Sequence, residues 1–129
     1  HQWFGHLLGY GLIDERAFLI ESLAKYAELV MIEQRYGRRA MRALVEFERD
    51  RYRHARLDPE QSTAFLINAE ESEDMYSRAT LAFACLRNQL GDAAIFGALK
   101  RMADDSRLNQ RAATSMSFLD ALKRSSSPR

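Results

Sequence analysis

Residues 18–37 read FLIESLAKYAELVMIEQRYG, and this stretch decides the fold class. Its apolar residues recur with a period near 3.6, which predicts a helix buried along one side. The stripe consists of Phe18, Leu19, Leu23, Ala24, Ala27, Val30 and Met31. Glycine commonly occupies the C-cap region of a helix. We therefore predict a long helix from Asp14 to Tyr36 that ends at Gly37.

The following segment predicts a second helix, from about Arg38 to Arg56. Asp58-Pro59 stops it, because a residue before proline is disfavoured in helical conformation. Its apolar side carries Met41, Leu44, Val45, Phe47 and Tyr52. Arginines at 35, 38, 39, 42, 49, 51, 53 and 56 are interleaved with Glu46, Glu48 and Asp50. This mixture favours a solvated mixed-charge face over a nucleic-acid site.

The rest of the chain continues in the same helical pattern. Helices are predicted near residues 71–90, 92–104 and 114–122. The short apolar run at 64–67 fits a strand, a helical turn or a packed loop. The sequence thus predicts an all-α domain of about five helices, packed as an irregular bundle over residues 1–124. A disordered tail is predicted over residues 125–129.

Size and charge limit the classes of function. A chain of 129 residues suffices for one domain with a modest core. The net charge of +1 provides no strong overall field for nucleic acid or an anionic membrane, so such a partner would need a local patch. No signal peptide or membrane-spanning segment is evident, and the single Cys85 cannot form an internal disulfide. Since His1 is not an initiator methionine, we expect a piece of a longer protein.

Two motifs suggest a metal site. HQWFG (residues 1–5) resembles the segment that begins with the second histidine of the HExxH motif in aminopeptidase-N-like zinc metallopeptidases. LIESLAKY (residues 19–26) resembles the second motif of that family, in which the glutamate is the third zinc ligand. Nineteen residues separate His1 from Glu21, as in the branch that is associated with transporter permeases.

The resemblance covers most of residues 1–122. MIEQRYG (residues 31–37) and FERDRY (residues 47–52) are similar to the run that follows the zinc glutamate in this branch. MYSRA (residues 75–79) falls where the family carries Tyr-x-Lys-Gly-Ser/Ala, with Arg78-Ala79 in place of Lys-Gly.

The resemblance implies the C-terminal half of a thermolysin-like catalytic domain that hydrolyses peptide bonds. His1 and Glu21 would bind one zinc ion, and Tyr76 would stabilise the oxyanion. The first histidine and the general-base glutamate would precede His1, so the isolated chain is expected to be inactive and to bind zinc weakly. The resemblance also implies a peptide substrate and association of the parent protein with a membrane transporter or permease. The interleaved charges predict that nucleic acid is not a partner.

Other interpretations stay open. The specificity is either that of an aminopeptidase or that of an endopeptidase. The chain could instead be a non-catalytic helical interaction module of a transporter-associated protein. Spacing alone favours Glu21 as a solvated helix residue paired with Lys25, and Tyr76 by default is a core or rim aromatic. The residues before His1 discriminate between enzyme and module.

Overall fold

A computed structural model of the chain describes residues 17–57, 65–68, 73–109 and 112–126. Throughout these ranges the regular structure is helical and contains no strand, which confirms the all-α prediction. The α-helices are α1 (residues 23–36), α2 (38–55), α3 (Ala79–Leu90), α4 (Asp92–Asn109) and α5 (Ser115–Ser126). A π-helical turn precedes α1 (Ala17–Ser22) and another precedes α3 (Glu73–Arg78), and a 3₁₀ turn spans Leu66–Asn68.

Gly37 separates α1 from α2 and reverses the chain direction. Its φ of 85° and ψ of 171° lie in a region that glycine adopts without a side-chain clash. Lys25 Nζ lies 2.7 Å from Glu48 Oε1, whereas a straight helix would place these residues ~35 Å apart. The two helices therefore form an antiparallel hairpin, and the predicted helix boundary at Gly37 is confirmed.

Aromatic rings hold the bundle together. Phe18, Tyr26, Phe83 and Phe118 are at most 4% exposed, and their neighbouring ring centroids lie 5.4–6.3 Å apart. These rings come from the first π-helical turn, α1, α3 and α5. Helix α4 adds buried side chains to the same core, namely Ile95, Ala98, Met102 and Ala103. One core therefore joins all of these elements.

Two predicted core residues lie at the surface. Met31 is 66% exposed and Phe47 is 61% exposed, so both assignments to an apolar stripe were wrong. On α2 the buried position next to Phe47 is taken by Glu48, which is 2% exposed and paired with a lysine of α1. The charge can be buried there because a partner of opposite charge lies opposite it.

The remaining boundaries differ by a few residues. Helix α4 extends to Asn109, beyond the predicted end near residue 104. Helix α5 includes Ser125 and Ser126, where a tail was predicted to begin, and residues 127–129 lie outside the described residues. The undecided segment contains the 3₁₀ turn Leu66–Asn68. In the part of the chain that the structure describes, no helix is both long and apolar enough to cross a membrane.

Candidate functional site

Glu21 and Tyr76 are in direct contact. The Tyr76 hydroxyl donates a hydrogen bond of 2.6 Å to Oε2 of Glu21, across 55 positions of sequence. Glu21 lies in the π-helical turn before α1, and Tyr76 lies in the one before α3. Such turns occur frequently at functional sites. The third predicted site residue, His1, lies outside the described residues.

Buried hydroxyl groups fix the backbone on both sides of this pair. Ser22 Oγ donates to the Met75 carbonyl oxygen at 3.1 Å, which ties the first π-helical turn to the second. Thr80 Oγ1 donates to the Tyr76 carbonyl oxygen at 2.8 Å. Both hydroxyl side chains belong to residues with no exposed surface. These hydrogen bonds therefore help to fix the position of the segment that carries Glu21 relative to the segment that carries Tyr76.

A buried carboxylate, Glu48, braces the site from α2. Lys25 donates to its Oε1 at 2.7 Å, and the Ser77 hydroxyl donates to its Oε2 at 2.7 Å. The Arg51 guanidinium adds a longer contact of 3.6 Å. Ser77 follows Tyr76 directly, so Glu48 connects three elements: α1, α2 and the turn that carries Tyr76.

The surroundings of Glu48 and Lys25 keep both side chains charged. Burial by itself would raise the pKa of Glu48, but the hydrogen bonds from Lys25 and Ser77 outweigh it and hold the pKa below its ordinary value. Burial likewise opposes the charge of Lys25, and the contacts with Glu28 and Glu48 nevertheless raise the pKa of the ammonium. At neutral pH both groups are therefore ionised.

Tyr76 is held as a hydrogen-bond donor. Its hydrogen bond to the Glu21 carboxylate raises the pKa of the phenol, and burial and the negative charge of Glu21 act in the same direction. At neutral pH the hydroxyl therefore carries its proton. A protonated phenol beside a carboxylate can stabilise a second developing negative charge if one forms within its reach.

The simple helix-face interpretation of Glu21 does not match these contacts. The Lys25 ammonium is directed to Glu48 and Glu28. The Glu21 carboxylate receives the hydroxyl of Tyr76 from another element. Tyr76, for its part, is only partly buried and has its hydroxyl on this carboxylate. The pairing of Glu21 with Lys25 is therefore not seen, whereas the partial burial of Tyr76 agrees with a rim aromatic.

Glu21 is a carboxylate that could serve as one ligand of a zinc ion. Catalytic zinc takes three protein ligands from imidazole and carboxylate groups, and an outer hydrogen-bond partner commonly orients such a ligand. Glu21 supplies the carboxylate and Tyr76 is that kind of partner. Among the described residues, no group of three or more His, Cys, Asp or Glu side chains could hold a metal ion.

Sequence reasoning missed two buried carboxylates near the site. Glu48 had a usable signal, because it continues the apolar spacing of Leu44 and Tyr52 along α2. Asp74 had none that we can identify. Asp74 is 2% exposed, its Oδ2 accepts no hydrogen bond within the described part of the chain, and Arg78 Nη1 lies 3.6 Å away.

A second polar cluster lies where α3 meets α4 and connects both helices to α1. Arg87 donates to both carboxylate oxygens of Asp92, at 2.7 and 2.8 Å, and to Glu33 at 2.5 Å. The Tyr26 hydroxyl also donates to Asp92, at 3.0 Å. Hydrogen bonding to Arg87 overcomes burial and lowers the pKa of Asp92. Because its groups are already paired with one another, we interpret this cluster as structural.

Comparisons of the chain with protein-family models, with curated proteins and with solved structures find no match.

Proposed function

We propose that this chain is the helical C-terminal part of the catalytic domain of a zinc metallopeptidase, similar to the transporter-associated branch of the aminopeptidase-N-like family. One observation carries the proposal, namely the 2.6 Å contact between Glu21 and Tyr76. The two residues were selected from separate sequence motifs, and the proposed roles require them to face one substrate. A metal ligand and an oxyanion donor that act on the same carbonyl group have to lie near each other, and the contact supports this.

Glu21 would hold the metal together with His1 and a histidine that precedes it. When bound, zinc would supply a Lewis acid that polarises the scissile carbonyl group. Glu21 itself contributes a negative carboxylate whose orientation is set by Tyr76. Glu48 contributes by bracing the turn that carries Tyr76 through Ser77.

Tyr76 would stabilise the oxyanion during peptide-bond hydrolysis. In the present structure its hydroxyl donates to Glu21, and during the reaction the same hydroxyl would turn to the oxygen on which negative charge develops. An interaction that is stronger in the transition state than in the ground state accelerates the chemical step. The raised pKa of Tyr76 supports this role, because the phenol retains its proton.

The substrate would be a peptide, and the resemblance favours cleavage next to a free N-terminus. It also favours a parent protein that associates with a membrane transporter or permease. Recognition of a substrate amine would depend on segments other than those that carry Glu21 and Tyr76.

The test uses the chain together with the sequence that naturally precedes it. Glu21→Ala is expected to lose zinc and turnover, whereas Tyr76→Phe is expected to keep zinc and to turn over ~10²–10³-fold more slowly. Zinc is measured by plasma mass spectrometry, and turnover with aminoacyl anilides and blocked peptides. Glu46→Ala is the matched control, since this glutamate is 61% exposed and paired only with a neighbour on its own helix.

Two results would contradict the proposal. The first is stoichiometric zinc with near-normal turnover in Glu21→Ala, which would make Glu21 an ordinary helix residue. The second is the absence of His-Glu-x-x directly before His1, which would favour the non-catalytic interaction module. If Tyr76→Phe alone has no effect, the oxyanion donor is another group and the role of Glu21 is retained.

A further inference from the structure

The turn of the α1–α2 hairpin concentrates positive charge. Residues 34–42, here called the hairpin tip, read QRYGRRAMR and contain four arginines and no acidic residue. All residues from 34 to 39 are exposed, as is Arg42. The local charge is therefore much higher than the net charge of +1 suggests.

The arginines of the tip differ from those further along α2. Arg49, Arg51 and Arg53 each lie within 4 Å of a carboxylate, as a mixed-charge helix face requires. Arg35, Arg39 and Arg42 form no ion pair within the described residues.

Arg38 is only weakly compensated. Its Nε lies 3.5 Å from Glu33, and the same carboxylate already accepts a hydrogen bond of 2.5 Å from Arg87. Arg42 lines a cavity together with Glu33 and Glu46, so Arg35 and Arg39 carry the least compensated charge of the tip. The predicted mixture of charges is densest at residues 46–53, whereas the tip itself contains basic residues and no acidic residue.

Amphipathic side chains lie beside this charge. Tyr36, in the middle of the tip, is 67% exposed, and Met31 on α1 is 66% exposed. Tyrosine is enriched at membrane–water interfaces, where its ring contacts the acyl boundary and its hydroxyl stays hydrated. Arginine stems also cover apolar surface while the guanidinium remains in water.

We propose that the hairpin tip docks on an anionic lipid surface. The tip lies at the turn between two helices, and its residues 34–39 are exposed and free to contact such a surface. Arginines near an anionic leaflet attract it within a Debye length of ~8–10 Å, so the acidic residues elsewhere in the chain oppose this contact only weakly. The guanidinium groups donate hydrogen bonds to the phosphate and carboxylate oxygens of the lipids, and the Tyr36 side chain enters the headgroup layer.

Nucleic acid fits this surface less well. Domains that bind it typically combine an isoelectric point above ~9 with a basic stripe along one face, whereas this chain has a calculated isoelectric point near 8.1. Basic charge at the tip ends at Arg42, and Arg49, Arg51 and Arg53 further along α2 are paired with acidic residues. The docking proposal is independent of the metallopeptidase proposal, because it uses none of the site residues.

The experiment is cosedimentation of the 129-residue chain with vesicles. One set contains phosphatidylcholine with about one third phosphatidylserine, and the other contains phosphatidylcholine alone, both in about 0.1 M salt, where the Debye length is ~10 Å. We expect binding to the anionic vesicles only, with a partition coefficient that falls as salt is added. Each arginine near the surface contributes about fivefold to partitioning, so the triple variant R35Q/R39Q/R42Q should lose roughly 100-fold.

A matched control removes the same charge elsewhere. The variant R53Q/R107Q/R124Q also replaces three exposed arginines and should keep most of the binding. Thermal unfolding followed by circular dichroism verifies that both variants fold, and Tyr36→Ala gives a second, charge-neutral test with an expected decrease in partitioning.

Several outcomes would overturn the docking proposal. These are no binding of the unaltered chain to anionic vesicles, equal loss of binding in both triple variants, and an unchanged partition coefficient in the tip variant. Binding to a single-stranded oligonucleotide that exceeds vesicle binding, and that the tip variant abolishes, would assign the surface to nucleic acid instead.

Discussion

Replacing Glu48 by alanine removes the brace behind the candidate site. The Glu48 side chain is 3% exposed and accepts hydrogen bonds of 2.7 Å from both Lys25 and Ser77. Its loss leaves the buried Ser77 hydroxyl without this acceptor and leaves Lys25 with Glu28 as its carboxylate partner. Burying a charge or a hydroxyl without its partner costs free energy, because the group has already lost its water.

The size of the effect follows from these contacts. Removing one partner of a buried ion pair costs about 3–5 kcal/mol. We expect the lower end, about 3 kcal/mol, because Lys25 is 13% exposed and keeps Glu28. With an unfolding entropy of about 2.1 cal/mol/K per residue, this corresponds to a decrease in Tm of about 10 °C. The exposed pair of Glu46 is worth ~0–1 kcal/mol, so Glu46→Ala should lower Tm by at most a few degrees.

The pH dependence of unfolding gives an independent check through Glu48→Gln, which keeps an acceptor but removes the charge. The pKa of Glu48 in the folded protein lies below its ordinary value of 4.5. The charge therefore stabilises the fold above pH 4.5, and this contribution is lost as the pH falls through the folded-state pKa. The difference in Tm between the unaltered chain and Glu48→Gln should be full at pH 7 and should shrink in acid.

Thermal unfolding by circular dichroism at pH 7 and at acidic pH measures both effects. If Glu48→Ala melts within about 2 °C of Glu46→Ala at pH 7, the brace does not exist in solution. If the difference in Tm between the unaltered chain and Glu48→Gln is the same at pH 7 and at acidic pH, the charge of Glu48 is not what stabilises the fold.

Three further predictions concern the coupling within the brace, the turn and the isolated chain. Combining Lys25→Met with Glu48→Ala should cost at least ~1 kcal/mol less than the sum of the single variants, as measured by urea unfolding, because the second change removes a charge that has lost its partner. Gly37→Ala should destabilise the fold by about 1–2 kcal/mol, because φ is 85° there and an alanine disfavours that conformation even though no atom lies within 4 Å of the added methyl group. As a control, Gly97→Ala in the interior of α4 should be neutral or stabilising by up to ~1 kcal/mol. The isolated 129-residue chain should bind zinc weakly and hydrolyse no aminoacyl anilide, since it carries at most two of the three predicted ligands; chelator-sensitive turnover would show that the upstream residues are unnecessary.

Much of the fold could be predicted from the sequence because the apolar stripes and Gly37 are local signals. The period of the stripe predicts α1, and a glycine at its end predicts the turn. Phe47 was assigned inward and Glu48 outward from residue type, although Glu48 shares the spacing of Leu44 and Tyr52. Their true positions depend on Lys25 and Ser77, which lie 23 and 29 residues away along the chain.

Only part of the candidate site could be predicted from the sequence. The motif resemblance selected Glu21 and Tyr76, and their contact then appears in the structure. The sequence predicted ordinary helix where the structure has the rare π-helical turns that carry them. The same limit applies to Asp74, whose burial depends on the packing of its turn.

The wide sequence separation between Glu21 and Tyr76 has a consequence for the order of folding. The hairpin contact between Lys25 and Glu48 spans 23 residues, whereas the contact between Glu21 and Tyr76 spans 55. Closing the longer loop costs about 0.8 kcal/mol more in chain entropy, and it also requires α3 to pack against the hairpin. We expect the hairpin to form before the carboxylate–phenol pair assembles. A newly made or partly unfolded chain would then have helices without a competent site, so a peptidase built on this fold would stay inert toward neighbouring proteins until its own folding is complete.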